Sequence, residues 1–349
     1  MNYKELGLSN TREMFAMAAK RGYAVPAFNF NNMEQLQAIL TATARTRSPV
    51  ILQVSESAMK YMGDDILIGM VGGALTRPAQ SNDCAGAPGR AHDFPVALHL
   101  DHGRTFEICK HAIDIGFSSV MIDASDKTPE ENIAMSKRVA DYAHPRDVTV
   151  EAELGGLYGI EEDAPTLGSV ASPPSWGEAR SHYTNPADVA RFVRDTGIDS
   201  LAISIGTSHG AYKFPSFGGV TPKGRRRGFS LRFDILEQIR AAAPKLPLVL
   251  HGASSVPQSL IDEINKFGGE IQGARGIPRD QLRKSTQMGI CKINVDSDGR
   301  LAFTAAVRAE LFTNPGNFDP RKYLSAARDK MTELYTDEIE NVMGSGGMA

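Results

Sequence analysis

A (β/α)8 barrel is the fold this chain predicts, and three observations carry it. Short β-branched or apolar runs occur eight times along the 349 residues, and amphipathic helical stretches separate them. Strands that alternate with helices pair in parallel, because a tight turn cannot join parallel strands. Each run also stops at or just before a polar residue, as expected of a barrel with its chemistry at the carboxyl ends of its strands. An open doubly wound sheet is the runner-up. It is weakened because no GxGxxG follows the first run.

The elements follow in order. Ser9-Asn10-Thr11 opens a helix over REMFAMAAK, and Gly22 stops it. The first four strands are Val25–Phe30, Val50–Ser55, Val96–Asp101 and Ser119–Asp123. Thr128-Pro129-Glu130 then begins a helix with proline in its first turn. After the fifth strand, Val148–Glu153, Asn185-Pro186 does the same before ADVARFVRDTG, with Gly197 as the stop. Ser200–Ile205, Leu248–His251 and Ile290–Val295 complete the eight. Two stretches interrupt the alternation, Arg77–Asp93 and Phe217–Gly228, and both are expected to be surface loops. From Asp319-Pro320 to Val342 one extra helix is expected on the outside, and the tail at 343–349, ending GSGGMA, is expected to be loose. No repeat or linker divides the chain, so residues 1–349 are expected to form a single domain.

Composition narrows the function. The hydrophobic share of 42% and the charged share of 23% are ordinary for a soluble protein with a large core. A net charge of −3 provides no general attraction to nucleic acid or to an anionic membrane. No run approaches the roughly 18 apolar residues of a membrane helix, and the polar start MNYKELGLSNTREMF lacks a signal-peptide core. Cys84, Cys109 and Cys291 form no CxxC spacing, which fits a reducing compartment. A cytoplasmic location is expected.

The strand ends hold the chemistry. They carry Asn29, Ser55, Asp101 with His102, Asp123, Glu153, His209, His251 and Asn294. Three of these are histidines, and each is followed at once by glycine: His102-Gly103, His209-Gly210 and His251-Gly252. In a barrel they converge on one mouth, and three neutral imidazoles with an open fourth position make a catalytic zinc site. HGAYK (His209–Lys213), HGASS (His251–Ser255) and NVDSD (Asn294–Asp298) follow strands six, seven and eight. Small hydroxyls, exposed N–H groups and glycines suit phosphate oxygens, and Lys213 adds a point charge. After strand five, GGLYGIEEDAP sets Glu161 and Glu162 on a glycine-rich segment, either as a solvated turn or as a mobile carboxylate base.

LHLDHG (Leu98–Gly103), EAELGG with GIEED (Glu151–Asp163), IGTSHGAYK, LHGASS and NVDSD, in this order, resemble the class II, zinc-dependent fructose-bisphosphate aldolases. VPAFNFNNMEQ is similar to that family's opening strand, and the likeness is nearest the class IIB branch of Calvin-cycle bacteria. The resemblance implies that fructose 1,6-bisphosphate is cleaved reversibly to dihydroxyacetone phosphate and glyceraldehyde 3-phosphate through a Zn-stabilised enediolate, in glycolysis, gluconeogenesis or the Calvin cycle. It implies Zn²⁺ on His102, His209 and His251, with Asp123 and Glu153 at positions for a second or displaced ion. A monovalent cation stays open. Asp101 would be the acid/base at the C4 hydroxyl, and Glu161 or Glu162 the loop acid/base. Gly210, Lys213, Gly252, Ser254, Asn294, Asp296 and Ser297 would hold dihydroxyacetone phosphate, with Ser55 nearby. Arg300 would reach the other phosphate, in its own or a neighbouring subunit, and a homodimer or homotetramer is expected.

The acidic loop has one residue more than in some relatives, which leaves Glu161 and Glu162 undivided. Tagatose 1,6-bisphosphate and sedoheptulose 1,7-bisphosphate remain alternative substrates. A zinc hydrolase on the same barrel is a remote alternative, since the first strand has no HxH pair. A non-catalytic binding protein conflicts with Asp101 standing beside His102. Other residues read as structural: His99 as a hydrogen-bonded barrel residue, Lys292 as support and not a nucleophile, Cys109 and Cys291 as buried, and His92, His111, His144 and His182 as surface. Trp176 is expected to pack a loop.

Overall fold

The computed structural model describes residues 1–76, 94–156, 158–159, 183–211 and 230–349. Both expected surface loops, together with Glu161, Glu162, Lys213, Cys84, Trp176, His92 and His182, lie outside the described residues. The barrel strands are β1 (Val25–Asn29), β2 (Val50–Ser55), β3 (Val96–Gly103), β4 (Ser119–Ile122), β5 (Thr149–Leu154), β6 (Ser200–Ile203), β7 (Leu248–Leu250) and β8 (Ile290–Val295). They close in the order β1-β8-β7-β6-β5-β4-β3-β2, and all neighbours are parallel. The eight predicted runs are these eight strands. Their ends differ: β3 runs on through His102 to Gly103, whereas β7 stops one residue before His251. A two-residue pair, Tyr158–Gly159 with Ser208–His209, ties the chain after β5 to His209.

Helices fill the spaces between strands. The first half carries α1 (Arg12–Arg21), α2 (Met33–Thr46), α3 (Glu56–Met62), α4 (Asp64–Thr76), α5 (Phe106–Ile115) and α6 (Pro129–Ala143). The second half carries α7 (Pro186–Thr196), α8 (Phe233–Ala242), α9 (Gln258–Lys266), α10 (Arg279–Gln287), α11 (Ser297–Thr313) and α12 (Pro320–Asp337). Thr128 and Glu131 form a full capping box at α6, and the Asn185 side chain caps α7. Gly22 closes α1 in the left-handed conformation, φ 70. Thr11 does not cap that helix. Its hydroxyl is 2.8 Å from the Thr149 hydroxyl instead, which pins α1 to β5.

The main apolar layer lies between strands and helices. Inside the barrel, Val25, Ala27, Ile51, Ala97 and Cys291 meet Met14, Phe15 and Ala18 of α1. Burying a side chain the size of Phe15 contributes about 1.5–3 kcal/mol. This plug sits toward the amino ends of the strands and leaves the polar inward positions for the carboxyl ends. Cys109 and Cys291 are buried, as expected.

The C-terminal region departs from expectation. α12 packs on α11 and α2 and ends at Asp337, and a π-helical segment, Glu338–Met343, follows. The expectation of a loose tail at 343–349 is overturned. Ser345 is fully buried with its hydroxyl 2.7 Å from that of Ser48, and the Gly347 and Ala349 amides donate to the Thr46 and Arg47 carbonyls. Gly-Ser composition suggested looseness, but hydrogen bonds to the end of α2 outweigh that local preference.

Candidate active site

His102 and His251 reach the mouth through close backbone approaches that only glycine permits. A Cβ at Gly103 would stand 2.8 Å from Cys109 Sγ, Leu100 Cδ2 and the Met121 carbonyl oxygen. Gly252 has φ +58, and a Cβ there would fall 2.4 Å from the Ser208 carbonyl oxygen. The loop after β7 therefore presses directly on the residue preceding His209. His102 itself lies at φ 52, an uncommon conformation for a residue with a side chain. The ring centroids of His102 and His251 are 4.6 Å apart, those of His102 and His209 are 4.7 Å apart, and those of His209 and His251 are 6.4 Å apart. The three predicted histidine rings are therefore neighbours at one mouth of the barrel.

Carboxylates orient two of these rings. His102 Nδ1 lies 2.9 Å from Asp123 Oδ2, and Asp123 Oδ1 accepts from the amide and hydroxyl of Ser125. His251 Nε2 lies 2.6 Å from Glu151 Oε1. A carboxylate can only accept, so these nitrogens carry the hydrogens. His102 Nε2 and His251 Nδ1 are left facing each other at 2.9 Å. Burial pushes the His102 pKa down, but Asp123, Asp101 and Glu153 outweigh it and carry it up to about 9. Burial and the neighbouring His102 hold His251 well below the usual range. His102 Nε2 and His251 Nδ1 thus meet at the point where a cation would be bound.

These donors fit a divalent metal. Tetrahedral bonds of about 2.0–2.1 Å to imidazole place neighbouring nitrogens roughly 3.3 Å apart, a few tenths of an ångström from the separation seen. Ligand atoms of Asp101, His102 and His251 lie within 4.8 Å of one another, and so do those of His102, Asp123 and Glu153. His209 belongs to neither set, and its ring stands edge-on to His102. Glu153 Oε2 is buried without a partner, and burial, then Asp123, raises its carboxyl well above the ordinary range. Asp123 has a hydrogen-bonding role that the sequence reading did not assign.

Asp101 is held from two sides. Asn29 Nδ2 donates to Oδ2 at 2.8 Å and Asn294 Nδ2 donates to Oδ1 at 3.3 Å, while Gln53 fixes Asn29. Burial raises the Asp101 pKa, but the neighbouring His102, His251 and Lys292, with the hydrogen bond from Asn29, prevail and keep it below the carboxylate norm. Oδ1 stands 3.9 Å from both His102 Nε2 and His251 Nδ1. An ionised base therefore lies beside the histidine cluster.

Beneath the mouth runs a network that the sequence reading missed in part. Glu151 Oε2 pairs with Lys292 Nζ at 2.8 Å, Lys292 lies 3.2 Å from His99 Nε2, and His99 Nδ1 lies 2.8 Å from the Ser119 hydroxyl. His99 and Lys292 are the buried structural residues expected, and Glu151 was not assigned. The signal for it was period two: His99, Glu151 and Lys292 each stand two residues before a mouth residue, Asp101, Glu153 and Asn294.

The other expected site residues surround the mouth. Ser55 caps α3, and its hydroxyl is 3.0 Å from that of Ser57. Gly210 has φ +76, and Ser254 is buried in the loop after β7. Asp296 and Ser297 lie at the start of α11, where Arg300 Nε donates to Asp296 Oδ1 at 2.8 Å. His111 and His144 are on the surface, paired with Asp64 and Asp199. Among the described residues no helix is long and apolar enough to cross a membrane.

Comparison with known proteins places this arrangement. The family model described as fructose-bisphosphate aldolase class-II matches residues 9–348. A fructose-bisphosphate aldolase of Treponema pallidum is 49% identical, with 100% of this chain and 99% of the relative covered. One from Giardia intestinalis is 43% identical, covering 98% and 94%. Among solved structures, the YdjI aldolase of Escherichia coli superposes with a TM-score of 0.68 at 27% identity, over 98% of this chain and 99% of that one. The chain belongs to the class-II fructose-bisphosphate aldolase family.

Proposed function

We propose that the chain cleaves fructose 1,6-bisphosphate reversibly into dihydroxyacetone phosphate and glyceraldehyde 3-phosphate, with Zn²⁺ held by His102, His209 and His251. The observation that carries the reading is the meeting of these three rings beside an ionised Asp101. Bound there, Zn²⁺ supplies Lewis acidity toward the negative charge that C3–C4 cleavage leaves next to a carbonyl. Asp123 and Glu151 keep the coordinating nitrogens of His102 and His251 free of hydrogen and aimed at one point. Asp123 and Glu153, with His102, could hold a second ion.

Asp101 takes the C4 hydroxyl proton as the carbon–carbon bond breaks, so the aldehyde can leave. Glu161 or Glu162 returns a proton to the carbon left behind. Gly210, Lys213, Gly252, Ser254, Asn294, Asp296 and Ser297, with Ser55 nearby, hold dihydroxyacetone phosphate. The position of Gly252 and Ser254 in the loop after β7, and of Asp296 and Ser297 at the start of α11, supports this, because amides there suit anions. Arg300 receives the second phosphate, next to or within a neighbouring copy in a homodimer or homotetramer. Buried free thiols at Cys109 and Cys291 are consistent with a reducing cytoplasm.

Turnover of fructose 1,6-, tagatose 1,6- and sedoheptulose 1,7-bisphosphate by the zinc-loaded protein tests the reading. The highest kcat/KM should fall on the fructose ester. Preference for either of the others would reassign the substrate, and no cleavage of any would overturn the activity.

A further inference from the structure

Glu338 begins the π-helical segment after α12, yet its carboxyl reaches the loop after β7. Oε1 is 3.3 Å from the Ser255 hydroxyl, across 83 residues of sequence, and the side chain is 1% exposed. π-Helical turns are rare and recur at functional positions. The same hydroxyl lies 3.0 Å from Asp298 Oδ2 on α11. Asp298 also accepts from the amides of Ser255, at 2.7 Å, and Val256, at 2.8 Å. Val256 sits at φ 47, a left-handed conformation that a β-branched residue adopts only when its surroundings impose it. From the other side, a Cβ at Gly276 would fall 2.1 Å from the Ser255 carbonyl carbon, and the Ile277 amide donates to the Ser254 carbonyl.

The loop carrying Ser254 is therefore a strained segment with designated supports. The Ser255 hydroxyl has one hydrogen for two carboxyl groups, and Asp298, which also accepts from two backbone amides, is the closer acceptor at 3.0 Å against 3.3 Å. Glu338 can then bond Ser255 Oγ only by donating a hydrogen of its own. We propose that Glu338 is a positioning residue for the substrate's phosphate: its protonated carboxyl donates to Ser255 Oγ and holds the Ser254–Val256 loop in its binding shape, and loss of that proton loosens the loop.

The inference rests on reading this loop as a phosphate cradle. The charges around Glu338 agree with it. Burial and then Asp298 push its pKa up to about 8, with Asp337 adding to the rise. Arg279 opposes it, with that guanidinium engaged with Asp337 at 2.5 Å, and a hydrogen bond from Ser255 to the ionised carboxylate opposes it more weakly. The carboxyl is thus protonated at neutral pH and ionises as the solution becomes mildly alkaline.

The test is kcat and KM for fructose 1,6-bisphosphate across roughly pH 6.5 to 9.5, using the zinc-loaded full chain, Glu338→Gln, Glu338→Ala and Ser254→Ala. Loss of one neutral hydrogen bond should raise the wild-type KM about 5–10-fold at the alkaline end relative to neutrality, with kcat changing less than about twofold. Glu338→Gln, whose amide donates at every pH, should flatten that rise. Glu338→Ala should raise KM by a similar factor throughout. A KM profile shared by wild type and Glu338→Gln overturns the proposal, as does an effect on kcat alone. Ser254→Ala separates the two readings. If it raises KM while the Glu338 variants do not, only the role of Glu338 fails; if it leaves KM unchanged, the phosphate cradle itself is wrong.

Discussion

Lys292 and Glu151 form a water-excluded ion pair of 2.8 Å between strands three apart around the barrel, and Glu151 passes the contact on to His251. Both side chains are essentially unexposed, so neither charge can fall back on solvent. Removing one partner leaves the other buried and unpaired. Lys292→Met should therefore destabilise the fold by about 3–5 kcal/mol. Denaturant unfolding of the metal-free protein reads this, and a change below about 1 kcal/mol would show the pair to be dispensable.

Glu151→Gln tests the other end of the contact. The amide preserves shape but presents no second charge to His251 Nε2, so the ring loses its fixed tautomer. Zinc affinity should fall about 10–100-fold, the usual cost of altering a hydrogen-bonded partner of a ligand. Competition against a fluorescent chelator gives the number, and unchanged affinity would leave Glu151 a stability residue alone.

His209→Ala and Asp101→Ala should separate ligand from base. The first reduces three imidazoles to two and should abolish metal retention. The second should keep zinc and substrate affinity but lower kcat by about 10²–10⁴-fold. Asp101 Oδ1 lies within the same cluster of ligand atoms as His102 and His251, so metal content after dialysis decides the matter. Equal loss of zinc from both variants would make Asp101 a ligand.

Much of this was legible locally. Eight β-branched runs and their polar ends specify the barrel and its mouth, because strand periodicity and termination are properties of neighbouring residues. Thr128 with Glu131, and Asn185 with Gly197, set helix boundaries for the same reason. Thr11 shows where local reading stops: its hydroxyl could cap a helix or bond Thr149, and only the fold decides between them. The tail follows the same logic, since Ser345 is buried by a partner at Ser48. Glu151 was within reach, because two acids in VTVEAE stand at period two and so share the inward face. Nothing near Glu338 in sequence points to Ser255.

Glu338 also predicts a pH dependence of stability. Its folded pKa, about 8, lies above the ordinary carboxyl value of 4.5. Between these values the folded state binds the extra proton, so stability falls as pH rises through the window and the full cost is present above pH 8. Glu338→Gln removes this cost. Its Tm should exceed the wild-type value, with a wider gap near pH 8 than near pH 5. A gap that is constant or reversed with pH would show that Glu338 is ionised in the folded chain.

The account's central claim is that one divalent cation on His102, His209 and His251 is required for cleavage. Stripping the purified chain with a chelator and titrating Zn²⁺ back while following fructose 1,6-bisphosphate cleavage tests it most directly. The account predicts activity near zero after stripping and recovery that saturates at one equivalent of zinc per chain. Full turnover by protein shown to be metal-free would contradict it.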